Sequence, residues 1–334
     1  MQKSTIKKSF VLGIIVMFIC LSTTTSTGNT IIKKASNPIL NGKTLYVGGS
    51  GEGNYTKIQD AIDDANDGDT VFVYNGVYQQ GTIRINKTIN LNGENKSKTI
   101  IDGCGQTYTL YLHDIDFGAL FIELSGFTIQ NASDVGIFVY SYENTIRDNI
   151  VQNNYIGIAL ARASNNLLYG NEIKNNYYGI FTLGSHVWNN IIERNIIEDN
   201  SCGLRITDEA SSTLIHHNTI INNENYGIMV DDSYYTTVEK NNIFGNHQDV
   251  SFKYFEYPGN LRKTFVKLRR NYWGSSQSLP KFFSGKIGFI IGIDIETGEN
   301  IILWIRWIEI DWHPAREPYD INDINVDEGI KYAK

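Results

Sequence analysis

The sequence predicts an all-β fold, a right-handed parallel β-helix with three-strand rungs of about 22–24 residues, an N-terminal capping helix and a C-terminal β-hairpin cap. Three observations predict it. Asparagine recurs at Asn149, Asn171, Asn195, Asn218 and Asn241, with separations of 22, 24, 23 and 23 residues. Five residues after each stands a second asparagine, at Asn154, Asn176, Asn200, Asn223 and Asn246. Between the two columns lies an aliphatic residue at constant offset, Val151, Ile173, Ile197, Ile220 and Ile243, as the inward position of a short strand requires. A period of this length marks a solenoid in which each turn buries the next, and 334 residues are more than one compact core usually fills.

The elements follow in chain order. Lys3, Lys7 and Lys8 precede an apolar stretch from Phe10 to Leu21 and a small polar run from Ser22 to Gly28, the three regions of a signal peptide. Residues 1–28 are therefore expected to direct export, which places the protein outside the cell or at its surface. The apolar stretch falls short of the roughly twenty residues that a membrane span needs, although an uncleaved anchor stays open. No span is expected in the mature chain, because Arg306, Glu309 and Asp311 interrupt the run from Ile301 to Trp312. The β-helix is expected over residues 44–274. Thr56–Asn66 carries Ile58, Ala61, Ile62 and Ala65 on one helical face, suited to plugging the first rung, and Gly68 and Asp69 turn into a strand over Thr70–Tyr74.

Within the repeats a third polar column, Asn144, Asn166, Asn190, Thr213 and Thr236, implies three corners and hence three strands per turn. Glycines at 136, 157, 179, 203 and 227 precede the remaining strand, where a turn is expected to need their backbone freedom. Period-two alternation then points Ile137, Ile158, Ile180, Leu204 and Ile228 inward. Stacked asparagines bond amide to amide along the axis, each bond contributing about 1 kcal/mol net. The repeat stops after Asn271-Tyr272-Trp273-Gly274. Gly288–Ile295 and Ile301–Trp312 flank a turn and predict the closing hairpin. Residues 275–318 are read as cap and strap, and 319–334 as a loose tail.

The formal charge is −7 and grows more negative once the leader lysines are removed, which argues against a nucleic-acid partner. Cys104 and Cys202 lie several rungs apart, beyond disulfide reach at about 4.8 Å per rung, and both are expected to be buried apolar-type cysteines. Sequons at Asn54, Asn86, Asn95 and Asn131 fit an exported chain.

The segment YTKIQDAIDDANDGDTVFVYNGVY, followed by INKTINLNGENKSKTIIDG, resembles the N-terminal cap and first rungs of exported archaeal and bacterial NosD-like β-helix proteins, within the pectin-lyase-like superfamily. Asn271–Gly274 and Asp311-Trp312-His313-Pro314 resemble the closing segment of archaeal members. The resemblance implies the fold. It also implies several functions, since members of the superfamily cleave or bind polysaccharides and NosD is linked to maturation of a copper centre in a denitrification enzyme.

Outward positions of the strand after each glycine read Phe138, Ala159, Phe181, Arg205 and Met229, then Tyr140, Ala161, Leu183, Thr207 and Asp231. Aromatic rings on such a face suit the stacking of sugars, with Phe138, Tyr140, Phe181, Arg205 and Arg162 as candidate carbohydrate-binding residues; the alternative is that the C-terminal strap covers them. Asp208, Glu209, Asp231 and Asp232 form a candidate metal cluster for which calcium is the natural cation, against the alternative of solvated turn residues. The functional expectations are a cell-surface carbohydrate-binding or structural module whose partner is a polysaccharide or cell-envelope glycan, a calcium-assisted lyase of acidic glycans, or a NosD-like copper accessory protein. A lyase would use Arg205 or Arg162 as the base. Histidines 113, 186, 216, 217, 247 and 313 are dispersed, and consecutive His216 and His217 are expected to face opposite sides of a strand.

Overall fold

The computed structural model describes residues 42–113, 120–207, 210–256, 266–276, 279–293 and 300–322. The leader, the hairpin turn and the tail beyond 322 lie outside the described residues. The chain coils through three sheets in rotation: Thr145–Arg147 lies in sheet A, Ile150–Gln152 in sheet B and Ile156–Ala161 in sheet C, and the next turn repeats the order. Each strand pairs in parallel with its equivalent one turn later, so Val151, Ile173, Ile197, Ile220 and Ile243 stack in register. Sheets A and C each contain ten strands and sheet B eight, among the described residues. This is a right-handed parallel β-helix of about nine turns, the hand that right-twisted strands favour for parallel crossovers.

The lumen is a stack of aliphatic columns with no solvent exposure, including Ile137, Ile158, Ile180, Leu204 and Ile228. Its corners are closed by asparagine ladders. At the A–B corner the side-chain amide of Asn149 donates to Asn171 Oδ1 (3.2 Å), Asn171 to Asn195, Asn195 to Asn218 and Asn218 to Asn241 (3.0 Å each). The B–C corner repeats the pattern from Asn154 through Asn176, Asn200 and Asn223 to Asn246, at 2.8–3.2 Å. At the C–A corner the ladder runs from Asn144 through Asn166 to Asn190.

The glycine column has a different cause from the one its position suggests. Gly136, Gly157, Gly179, Gly203 and Gly227 do not have positive φ. A Cβ on any of them would instead lie 2.5–2.8 Å from a backbone oxygen of the next rung. Close approach of successive turns, rather than turn geometry, excludes every other residue here.

The capping helix α1, Ile58–Asp64, is shorter than the Thr56–Asn66 span, and it buries Ile58, Ala61 and Ile62 over the first rung. Gln59 finishes the exposed edge of the strand Ile83–Ile85: its Oε1 accepts from Arg84 N (2.8 Å) and its Nε2 donates to Arg84 O (3.2 Å). Lys87 Nζ donates to the carbonyls of Ile62, Asp63 and Ala65 at 2.6–2.9 Å, satisfying the helix C-terminus with a cation, as the helix dipole favours. At the other end the hairpin strands are Lys281–Ile293 and Asn300–Asp311, and the first of them starts seven residues earlier than Gly288. Cys202 is buried, its thiol pushed up to about 12 by burial, whereas Cys104 is exposed, contrary to expectation, at a left-handed turn after Asp102.

Candidate functional site

The outer side of sheet C carries the predicted aromatic face. Parallel pairing places Arg84, Tyr111, Phe138, Ala159, Phe181, Arg205 and Met229 in one register column. Tyr111 and Phe138 have ring centroids 5.4 Å apart, and Phe138 lies nearly parallel to Tyr140 at 6.2 Å. His113 stacks on Tyr140 at 6.2 Å. Two rungs on, Phe181 packs against Tyr178 at 4.9 Å, and the Arg205 guanidinium lies over both rings at 5.1 and 5.4 Å while Nη1 donates to Tyr178 Oη (2.9 Å). Ala159, fully buried, lies between the two ring groups, and Phe138, Phe181 and Leu183 pack around it as an apolar cluster separate from the lumen.

At the N-terminal end this face opens into a cleft of about 280 Å³ between α1 and the first sheet C strands. Gln59, Asp63, Arg84, Asn86, Tyr111 and His113 line it, and Arg84 lies over the Tyr111 ring at 5.7 Å. Among the described residues the C-terminal strap makes its hydrogen bonds away from these rings. It crosses the last rungs elsewhere: Ala315 N donates to Asn271 O (2.9 Å), and Tyr319 exchanges two hydrogen bonds with the Asn242 side chain (2.7 and 2.8 Å).

Arg162 is exposed, at a left-handed corner position following the Ile156–Ala161 strand. Asp231 faces Arg205, with Nη2 3.5 Å from Oδ2, and Asp232 occupies the equivalent corner with φ 51°. Asp208 and Glu209, the other half of the predicted carboxylate cluster, lie outside the described residues.

Sequence reasoning missed a second polar group, on the outer side of sheet A. Glu193 and His216 are register partners on the strands Ile191–Glu193 and Leu214–His216, and Glu239 follows on the next rung. His217 does not face away from His216. It is the corner residue after the strand ends, in the left-handed conformation (φ 53°), and its ring turns back so that the two Nδ1 atoms lie 2.9 Å apart. Both rings are buried, at 2% and 8% exposure. His216 Nε2 is 3.7 Å from Glu193 Oε2, and Glu193 Oε1 is 3.5 Å from Arg194 Nε. Burial first, then the neighbouring His217, Lys240 and Arg194, pull His216 down to about 3. Burial, Lys240 and Arg194 pull His217 down to about 4. Both imidazoles are therefore neutral at pH 7. A donor atom from each of Glu193, His216 and His217 lies within 4.8 Å of the other two. Period-two alternation concealed the pair, because it applies inside a strand and fails at the left-handed residue that ends one.

No curated protein matches the chain by sequence. Among solved structures it is similar to the A-module of mannuronan C-5 epimerase AlgE4 from Azotobacter vinelandii, with 16% identity, 68% of this chain and 78% of that one covered, and a TM-score of 0.45. It is similar to pectate lyase Pel9A, at 15% identity, 73% and 78% coverage and a TM-score of 0.48. PfbA, a surface adhesin of Streptococcus pneumoniae, shares 13% identity over 66% and 67% of the two chains, with a TM-score of 0.47. No helix among the described residues is long and apolar enough to cross a membrane. The sequence pattern of the family described as periplasmic copper-binding protein (NosD) matches residues 62–276, nearly the whole coil, and the chain belongs to the NosD family.

Proposed function

We propose that the protein is an exported binding module that holds an acidic polysaccharide along the outer face of sheet C. The observation that carries this reading is the single register column from Arg84 to Arg205, in which guanidinium groups at both ends bracket Tyr111, Phe138 and Phe181. At about 4.8 Å per rung the column spans roughly 24 Å, enough for several sugar units. Rings offer flat apolar area to sugar faces, and guanidinium groups pair with carboxylates in a planar fork. The cleft beside α1 adds Gln59, Asp63 and Asn86 as partners for hydroxyls at one end of the chain. Arg162 projects from the corner beside Ala161 and would meet a carboxylate at the edge of the bound glycan.

Titration calorimetry with oligouronates and neutral oligosaccharides tests the reading. The oligouronates should bind, and the double substitution Phe138→Ala and Phe181→Ala should weaken them by at least ~10-fold, the equivalent of about 1.4 kcal/mol. Tyr46→Ala, on the outside of sheet A, should leave binding unchanged. Equal binding by the double variant, or no binding to any glycan, overturns the proposal. Running the same mixtures with and without calcium under an ultraviolet assay for unsaturated uronates separates a lyase from a binding module.

A further inference from the structure

We propose that Glu193, His216 and His217 bind one divalent transition-metal ion of borderline softness, the class that includes zinc and copper(II). The site lies on sheet A and is independent of the glycan face on sheet C. Four features of the fold carry it.

First, three side chains with metal-binding donors converge within 4.8 Å, the one such group among the described residues. Second, the two Nδ1 atoms are 2.9 Å apart, the separation of two cis ligands that share an ion at about 2.0–2.1 Å, and a Glu193 carboxylate oxygen lies within 4.8 Å of a donor atom on each ring. Third, the histidine pair is incompletely satisfied. Two neutral rings in Nδ1–Nδ1 contact share one proton, and His217 Nε2 is left buried with no hydrogen-bond partner. An orphaned buried nitrogen is costly, and a ligand that reorganises the pair removes the cost. Fourth, the carboxylate of Glu193 supplies negative charge beside the rings, and Glu239 stands on the following rung in the same register.

The opposing charges are Arg194 and Lys240, which flank His217 along the corner column. Arg194 is already set against Glu193 at 3.5 Å and over the Tyr169 ring at 5.9 Å. Tyr319 of the C-terminal strap packs edge-on against His217 at 6.0 Å and roofs the site. Two imidazoles and a carboxylate suit zinc or copper(II); they do not suit calcium, which takes oxygen ligands, or copper(I), which favours sulfur. The family's copper is thus met in this chain by a nitrogen–oxygen set, with Met229 and Cys202 both on sheet C.

The test uses the untagged protein after chelator treatment. Equilibrium dialysis should find one zinc per chain, displaced by copper(II), and electron paramagnetic resonance of the copper form should show hyperfine coupling to two imidazole nitrogens. His217→Asn retains a residue that tolerates the left-handed corner, and it and Glu193→Gln should each weaken zinc by at least ~10-fold. His247→Asn, at an exposed histidine elsewhere, should change nothing. Circular dichroism confirms that each variant is folded; if His217→Asn is not, Glu193→Gln and the copper spectrum decide. Absence of stoichiometric zinc and copper binding, a copper spectrum without two nitrogens, or zinc affinity unchanged in a folded variant overturns the proposal. Phe138→Ala with Phe181→Ala should leave zinc binding intact, so failure here and failure of the glycan reading are separable.

Discussion

Asn200 shows what a single position in this fold must satisfy. Its side-chain amide donates to Ile173 O, Glu198 O and Asn223 Oδ1, while its Oδ1 accepts from the backbone N–H and the amide of Asn176. No other side chain has two donors and an acceptor on so short a stem, which is why these columns were legible in the sequence. The left-handed residue that precedes each ladder asparagine was not legible. That column reads Asp148, Gly170, Arg194, His217 and Lys240 at one corner and Asn153, Asn175, Asp199, Asn222 and Gly245 at another; the second uses only residue types that tolerate the left-handed shape, whereas at the first the coil imposes it on Arg194, His217 and Lys240. A prediction at this scale concerns Glu309 in the closing hairpin. Its Oε1 is out of reach of solvent, and burial pushes the carboxyl from 4.5 up to about 8, against hydrogen bonds from Trp307 and Tyr254 that lower it. Below pH 4.5 the group is protonated whether folded or not, so it costs nothing. Between 4.5 and about 8 only the unfolded chain ionises; stability should fall through that window by as much as a few kcal/mol and level off above it. Urea unfolding at pH 5 and pH 8 should show this loss in the wild type and a smaller one in Glu309→Gln.

Among the elements, the closing hairpin depends on one carboxylate. Asp311, fully buried, accepts from the backbone N–H of Arg270 (3.0 Å) and Asn271 (2.9 Å), from the Asn271 amide (3.4 Å) and from Trp273 Nε1 (3.2 Å). It occupies the place that the next ladder asparagine would take. Asp311→Ala would strand several buried donors at once, at about 1–3 kcal/mol each, and should lower the melting temperature markedly. Asp311→Asn, whose amide oxygen still accepts, should lose less; equal losses for the two variants in thermal unfolding would contradict this account. The Asp311–Pro314 segment was noticed in the sequence only as a resemblance, because a contact between residues forty positions apart leaves no local pattern. The first half of the hairpin was missed for a related reason: Lys281–Ile287 is broken by Ser284, Gly285 and Lys286, and Gly285 is required by the Phe252 ring packed against it.

At the largest scale, the described coil is built by repetition, since each strand pairs with its equivalents in the turns before and after it, and this regularity made the architecture readable from spacing alone. The aromatic face was readable to the same extent: period two placed Phe138, Phe181 and Arg205 outward, while the cleft beside α1, which joins the capping helix to strands beyond it, required the three-dimensional structure. The same regularity predicts that removing residues 150–171, one full period, leaves a folded, shorter coil in which Asn149 bonds Asn195-equivalent partners one rung on and Phe138 abuts Phe181. Circular dichroism should retain the β spectrum and thermal unfolding should stay cooperative, whereas a deletion of half that length should abolish both. In both long ladders the amide-to-amide bonds run in one direction, each asparagine donating to the next rung on the C-terminal side, and each ladder finishes on an aspartate, Asn246 on Asp249 (3.1 Å) and Asn271 on Asp311. A carboxylate receives and has nothing to pass on. The two acids therefore end each ladder on a pure acceptor, so the stack closes without leaving a buried N–H pair that lacks a partner.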